Sequence, residues 1–151
     1  MRQIRDQIDK IVERLLVFIL MVMVINILWQ VFTRFFILNP SSFTDELSRY
    51  LMIWLGLLGA AYVSGKKEHV AINFFANKLN NKKSIIADRF VHLSVISFAF
   101  FGMLIGGGHL VYITLKLEQY SPSLQIPLGI VYAIIPISGL LIIFYKLISV
   151  K

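Results

Sequence analysis

Residues 15–33 read LLVFILMVMVINILWQVFT, nineteen positions without an Asp, Glu, Lys or Arg. A helix of roughly 20 apolar residues crosses a hydrocarbon core about 30 Å thick. Three further charge-free runs follow, at 50–65, 90–115 and 119–145. The run at 50–65 reaches spanning length once Leu47, Ser48 and an end-snorkelling Arg49 are added. The chain therefore reads as an all-α integral membrane protein with four transmembrane helices, at about 15–38, 45–65, 86–115 and 127–148. With 151 residues and 58% hydrophobic content, it has room for a single four-helix domain, 1–151, and short connections. The first run is too long for a cleaved signal peptide and no A-x-A-like site follows it, so it is expected to remain as span 1.

The placement of charge gives the topology. Arg2, Arg5, Lys10, Arg14, Lys66, Lys67, Lys78, Lys82, Lys83, Arg89, Lys146 and Lys151 fall on one side of the four spans. Only Arg34, Arg49 and Lys116 fall on the other. The positive-inside bias puts both termini and the connection between spans 2 and 3 in the cytoplasm. The net charge of +7 is thereby explained by topology and anionic lipid, and no nucleic-acid partner is expected. The absence of Cys excludes disulfides and thiolate metal sites.

Local patterns fill in the elements. Ile4, Ile8, Ile11 and Leu15 recur at helical spacing, which predicts an amphipathic surface helix at the N-terminus leading into span 1. A second one is predicted between spans 2 and 3, where His69, Asn73 and Asn77 share a stripe opposite Ile72, Phe75 and Leu79. Asn26 and Gln30 lie one turn apart in span 1, placed to hydrogen-bond either a neighbouring helix of this chain or another subunit. Ser42-x-x-Asp45 has the form of a capping box and starts span 2. Arg49 follows Asp45 by four residues and Glu46 by three, so it can pair with either. The expectation is that Glu46 and Arg49 together hold the outer end of span 2 in register. Gly56, Ala60 and Ser64 form one small-residue stripe, and Gly102 and Gly106 another that Gly107 and Gly108 extend. Pro127 suits the first turn of span 4, and Pro136 should kink it.

Chemistry is scarce. His69, His92 and His109 have no metal-ligand spacing, and no nucleophile elbow, P-loop or H-E-x-x-H occurs. No enzyme, metal or cofactor is expected. All eight acids (Asp6, Asp9, Glu13, Asp45, Glu46, Glu68, Asp88 and Glu118) lie at helix ends or in connections. Coupled pumps usually keep ionisable groups at mid-membrane. The pattern points to a scaffold and not to a self-sufficient transporter.

Residues 45–62, Asp-Glu-Leu-Ser-Arg-Tyr-Leu-Met-Ile-Trp-Leu-Gly-Leu-Leu-Gly-Ala-Ala-Tyr, resemble the signature of the small membrane subunit of TRAP transporters, the tripartite ATP-independent periplasmic systems. His69-Val70-Ala71-Ile72-Asn73 resembles that family's H-[IV]-x-[IV]-[DN] stretch. Ser123-Leu124-Gln125-Ile126-Pro127, with Pro136 downstream, resembles its closing pattern, although Ala is commoner where Ser123 stands. The resemblance covers nearly the whole chain.

It implies the small, DctQ-like subunit of a Na⁺-coupled uptake system in the bacterial inner membrane. The partners it implies are a large elevator-type membrane subunit holding the substrate and Na⁺ sites, a periplasmic binding protein, and membrane lipids. The implied substrate is an organic acid, sialic acid ahead of a C4-dicarboxylate. Residues expected at partner contacts are Asn26, Gln30, Glu46, Arg49, Trp54, Gly56, Ala60, His69, Gly102 and Gly106. The competing readings are a stand-alone small transporter or channel, and a membrane assembly or sensor protein.

Overall fold

The computed structural model describes residues 2–37, 42–66 and 81–149. Helix α1 (Arg2–Phe32) continues through a π-helical turn (Thr33–Ile37) to form span 1. Helix α2 (Ser42–Gly65) is span 2. Helix α3 (Asn81–Ser97), a π-helical segment (Phe98–Gly106) and α4 (Gly107–Lys116) form span 3, and α5 (Leu128–Tyr132) with α6 (Ile134–Ser149) form span 4. Among the described residues, four helices are thus long and apolar enough to cross a membrane: Arg5–Phe36, Ser42–Gly65, Arg89–Lys116 and Leu128–Ile148. The protein is an all-α, four-span membrane protein. The surface helix predicted over residues 68–79, with His69, lies outside the described residues.

The N-terminal amphipathic segment is not a separate helix. No Gly or Pro interrupts residues 2–37, so the chain continues straight from Arg2 into the apolar run. Its inner face packs along span 2. The Arg5 guanidinium donates to the Gly65 carbonyl and so caps the end of α2, while it also lies 3.9 Å from Asp9.

Packing runs as a row: span 1 on span 2, span 2 on span 4, and span 4 on span 3. Spans 2 and 4 are the inner members of that row, and span 4 is the most buried, with 39% of its most apolar window buried, against 11–17% for the others. Lipid tails are as apolar as Leu, so helix association inside a bilayer depends on close packing rather than on water exclusion. The glycines provide that closeness. A Cβ at Gly139 would lie 2.8 Å from the Met103 Cβ and 3.1 Å from the Ala99 carbonyl. One at Gly107 would meet Ile135 at 2.7 Å, and one at Gly65 the Tyr145 ring at 2.7 Å. Ala61, Ala99, Met103 and Ile142 fill the core between them.

These intrachain contacts do not use the small-residue stripes singled out from sequence. Gly102 and Gly106 are exposed, while Gly107 is buried against span 4. The reason is the π-helical segment, whose wider turn re-aims the face that a regular helix would have presented. Gly56 and Ala60 also point outward, with nothing within 4 Å of a Cβ built at Gly56.

Span 4 breaks between α5 and α6 at Ala133. Pro136 has no N–H to give the Tyr132 carbonyl, and its ring crowds that same group. The predicted kink is therefore an interruption three residues earlier. The Trp54 indole N–H donates to the Val131 carbonyl at 3.0 Å, tying span 2 to the broken turn.

Candidate functional site: a cradled loop at the far end of the bundle

Arg5 near the start of α1 and Tyr145 near the end of α6 both meet Gly65 at one end of the bundle, and a second cluster of polar contacts lies at the opposite end. There the start of α2 meets span 1 and the loop between spans 3 and 4. The Asn26 amide donates to the Thr44 carbonyl and to Ser48 Oγ, both at 2.7 Å. Gln30 donates to Asp45 at 3.4 Å. Both residues thus have hydrogen-bond partners within the chain, Asn26 in a buried position and Gln30 through an exposed bond.

Glu46 organises the loop. Its Oε1 accepts from the Tyr50 hydroxyl at 2.6 Å. Its Oε2 accepts the backbone N–H groups of Ser123 at 2.8 Å and Leu124 at 3.2 Å. A carboxylate at a helix start is also favoured by the dipole. Charge-assisted bonds of this kind are the strong class. They hold a loop that already bonds to itself: Ser121 N–H donates to the Ile126 carbonyl at 2.9 Å and Leu128 N–H to the Gln119 carbonyl at 2.9 Å. Ser121 is fully buried beneath it.

Glu118 (φ 47°) and Gln125 (φ 55°) bracket the loop in the left-handed region. Non-glycine residues adopt that region only where surrounding contacts impose it. Glu118, Gln119, Tyr120, Pro122 and Gln125 are exposed on its outer face. The result is a mixed surface in which Glu118, Gln119 and Gln125 lie beside the exposed Tyr120, Pro122 and Ile126.

The expected Glu46–Arg49 pair does not form. Arg49 bonds Asp45 at 2.7 Å, four residues back on the same helix face, with the two side chains 75% and 54% exposed. Glu46 turns to the loop because two backbone N–H groups and a hydroxyl converge on it there. Arg49 and Glu46 therefore act separately. Trp54 faces inward at the span 4 break, Gly56, Ala60, Gly102 and Gly106 face outward, and His69 lies outside the described residues. Tyr50, Ser121 and the Ser123–Leu124 backbone were not singled out from sequence. The signal for the loop was the Ser123–Pro127 stretch, but nothing local links it to a carboxylate 77 residues earlier.

Comparison with known proteins adds the following. The family model described as tripartite ATP-independent periplasmic transporters, DctQ component, matches residues 12–150. A provisionally named TRAP transporter small permease protein of Haemophilus influenzae is 31% identical over 142 residues, 94% of this chain and 86% of that one. The sialic acid TRAP transporter small permease protein SiaQ of Vibrio cholerae is 32% identical over 82 residues, 54% of this chain and 47% of that one. The sialic acid TRAP transporter permease protein SiaT of Haemophilus influenzae is 32% identical over 66 residues, 44% of this chain and 11% of that one.

Proposed function

Because this chain belongs to the DctQ-component family of tripartite ATP-independent periplasmic transporters, we propose that it is the non-catalytic small membrane subunit of a Na⁺-coupled uptake system for an organic acid. It widens the static scaffold of a large elevator-type subunit, which holds the substrate and Na⁺ sites, and it helps dock a periplasmic binding protein. The observation that carries the docking reading is the Glu46-cradled loop. A partner that must be captured and released repeatedly is served by an exposed surface whose backbone is already held by hydrogen bonds, because little entropy is lost on contact.

A large partner is supported by the Haemophilus SiaT match, which occupies 11% of that permease. In that protein, sequence similar to this chain is covalently part of a much longer one. Sialic acid is favoured over C4-dicarboxylates because two of the relatives carry it in their names. The inner membrane is the location, with both termini cytoplasmic and the cradled loop periplasmic, as the twelve-to-three basic asymmetry argues.

Orientation is the first check on this reading. Single cysteines at Gln119 and at Lys66, both exposed, sit at opposite ends of the bundle. An impermeant thiol reagent added to intact spheroplasts should label Gln119→Cys and leave Lys66→Cys unlabelled until the cells are opened. Labelling of Lys66→Cys alone would turn the loop toward the cytoplasm and remove it from any periplasmic partner.

A further inference from the structure

A crevice of about 390 Å³ on the outer face of α1 is lined by Lys10, Glu13, Arg14, Val17, Phe18 and Met21. A second, of about 320 Å³, opens between spans 1, 2 and 4, with Leu15, Phe18, Leu51, Trp54 and Val131 among its walls. Phe18 borders both, so charged rim and apolar groove are adjacent.

Depth makes the rim unusual. Arg5 meets Gly65 at one end of α2, and Asn26 meets Thr44 and Ser48 near the other. At 1.5 Å per residue, Arg14 lies about 14 Å along the bundle from Arg5. That places it beside residues 50–65 of span 2, which carry no charge. Lys10 and Arg14 are exposed there, and neither makes an ion pair within 4.0 Å of any described residue. Cations facing outward at the level of an uncharged neighbouring span need an anion brought to them.

We propose that the two crevices form one binding site for an anionic phospholipid. Its phosphate sits between Lys10 and Arg14, one helical turn apart on the same face. Arg offers a planar fork that suits a phosphate. One acyl chain follows Val17, Phe18 and Met21, and the other enters the groove against Trp54. Two cations against the single carboxylate of Glu13 leave the rim positive, which selects an anionic headgroup over a zwitterionic one. The lipid draws its leaflet inward along span 1 and covers charge that would otherwise face hydrocarbon.

Trp29 and Trp54 are the two tryptophans, so Trp29→Phe leaves Trp54 as the sole fluorophore. The full chain is placed in phosphatidylcholine nanodiscs carrying rising fractions of phosphatidylglycerol with brominated acyl chains. Quenching of Trp54 should saturate at a fraction where brominated phosphatidylcholine has little effect. Lys10→Gln and Arg14→Gln should each shift half-saturation upward roughly fivefold. Glu13→Gln should shift it downward, an opposite sign that a folding defect cannot mimic. The same selective quenching should persist when the large permease is co-reconstituted. Equal quenching by the two brominated lipids, or a curve unmoved by the double Lys10→Gln/Arg14→Gln variant, would overturn the proposal. Loss of quenching on adding the large permease would assign the groove to protein instead.

Discussion

Replacing Gly139 with Val should separate span 3 from span 4 and lower the unfolding midpoint of the detergent-solubilised chain. The loss should correspond to about 1–3 kcal/mol, the usual range for overpacking. The new side chain would press on the Met103 Cβ and the Ala99 carbonyl, groups close to or part of a helix backbone that cannot swing aside. Gly56→Ala is the matched control, because nothing lies within 4 Å of its Cβ position. It should not destabilise the isolated chain, and helix propensity should raise its stability by about 0.5–1 kcal/mol. Urea or dodecyl-sulfate titration followed by circular dichroism reads both. A silent Gly139→Val would mean that spans 3 and 4 do not pack as described. A Gly56→Ala defect that appears only in the assembled complex would place that outward stripe at a subunit seam.

The second large effect is expected at Glu46. In Glu46→Ala the Ser123 N–H loses its acceptor, the Leu124 N–H keeps only Ser121 Oγ at 3.2 Å, and the Tyr50 hydroxyl loses the carboxylate it donates to. The loop between Glu118 and Gln125 should then relax out of its left-handed ends. Uptake by the reconstituted three-part system should fall to a small fraction of the parent value, and the binding protein should cross-link less to Gln119→Cys. Glu46→Gln keeps one carbonyl acceptor and should recover part of the loss. Arg49→Ala should leave uptake within about twofold, because an exposed i,i+4 pair contributes only about 0.2–1 kcal/mol. Equal damage from Arg49→Ala and Glu46→Ala would restore the paired role that their spacing suggested. Normal uptake in Glu46→Ala would remove the cradle from the docking reading.

How far this architecture was legible follows from what each feature depends on. The four spans were readable because crossing a bilayer constrains length and charge within a single segment. Helix α2 begins at Ser42, where the local sequence pattern starts span 2. Pro136 announced a break, and it came at Ala133, one residue past the carbonyl that its ring excludes. The order of the row was not readable, because every span is apolar on all sides and periodicity then names no inner face. The stripe at Gly102 and Gly106 assumed a regular helix, and a π-helical segment rotated Gly107 into the contact instead. Glu46 had an acceptable partner nearby in Arg49, whereas its actual partners are backbone groups 77 and 78 residues away. Backbone donors leave no mark in a sequence.

The central claim is that this chain works as a subunit and not as a transporter. Proteoliposomes with an inward Na⁺ gradient can be prepared with this chain alone, with the large permease alone, and with both. Each is offered radiolabelled sialic acid in the presence of its binding protein. The account predicts uptake only when both membrane proteins are present, and none above empty vesicles with this chain alone. Uptake by this chain alone, or full uptake by the large permease without it, would contradict the account.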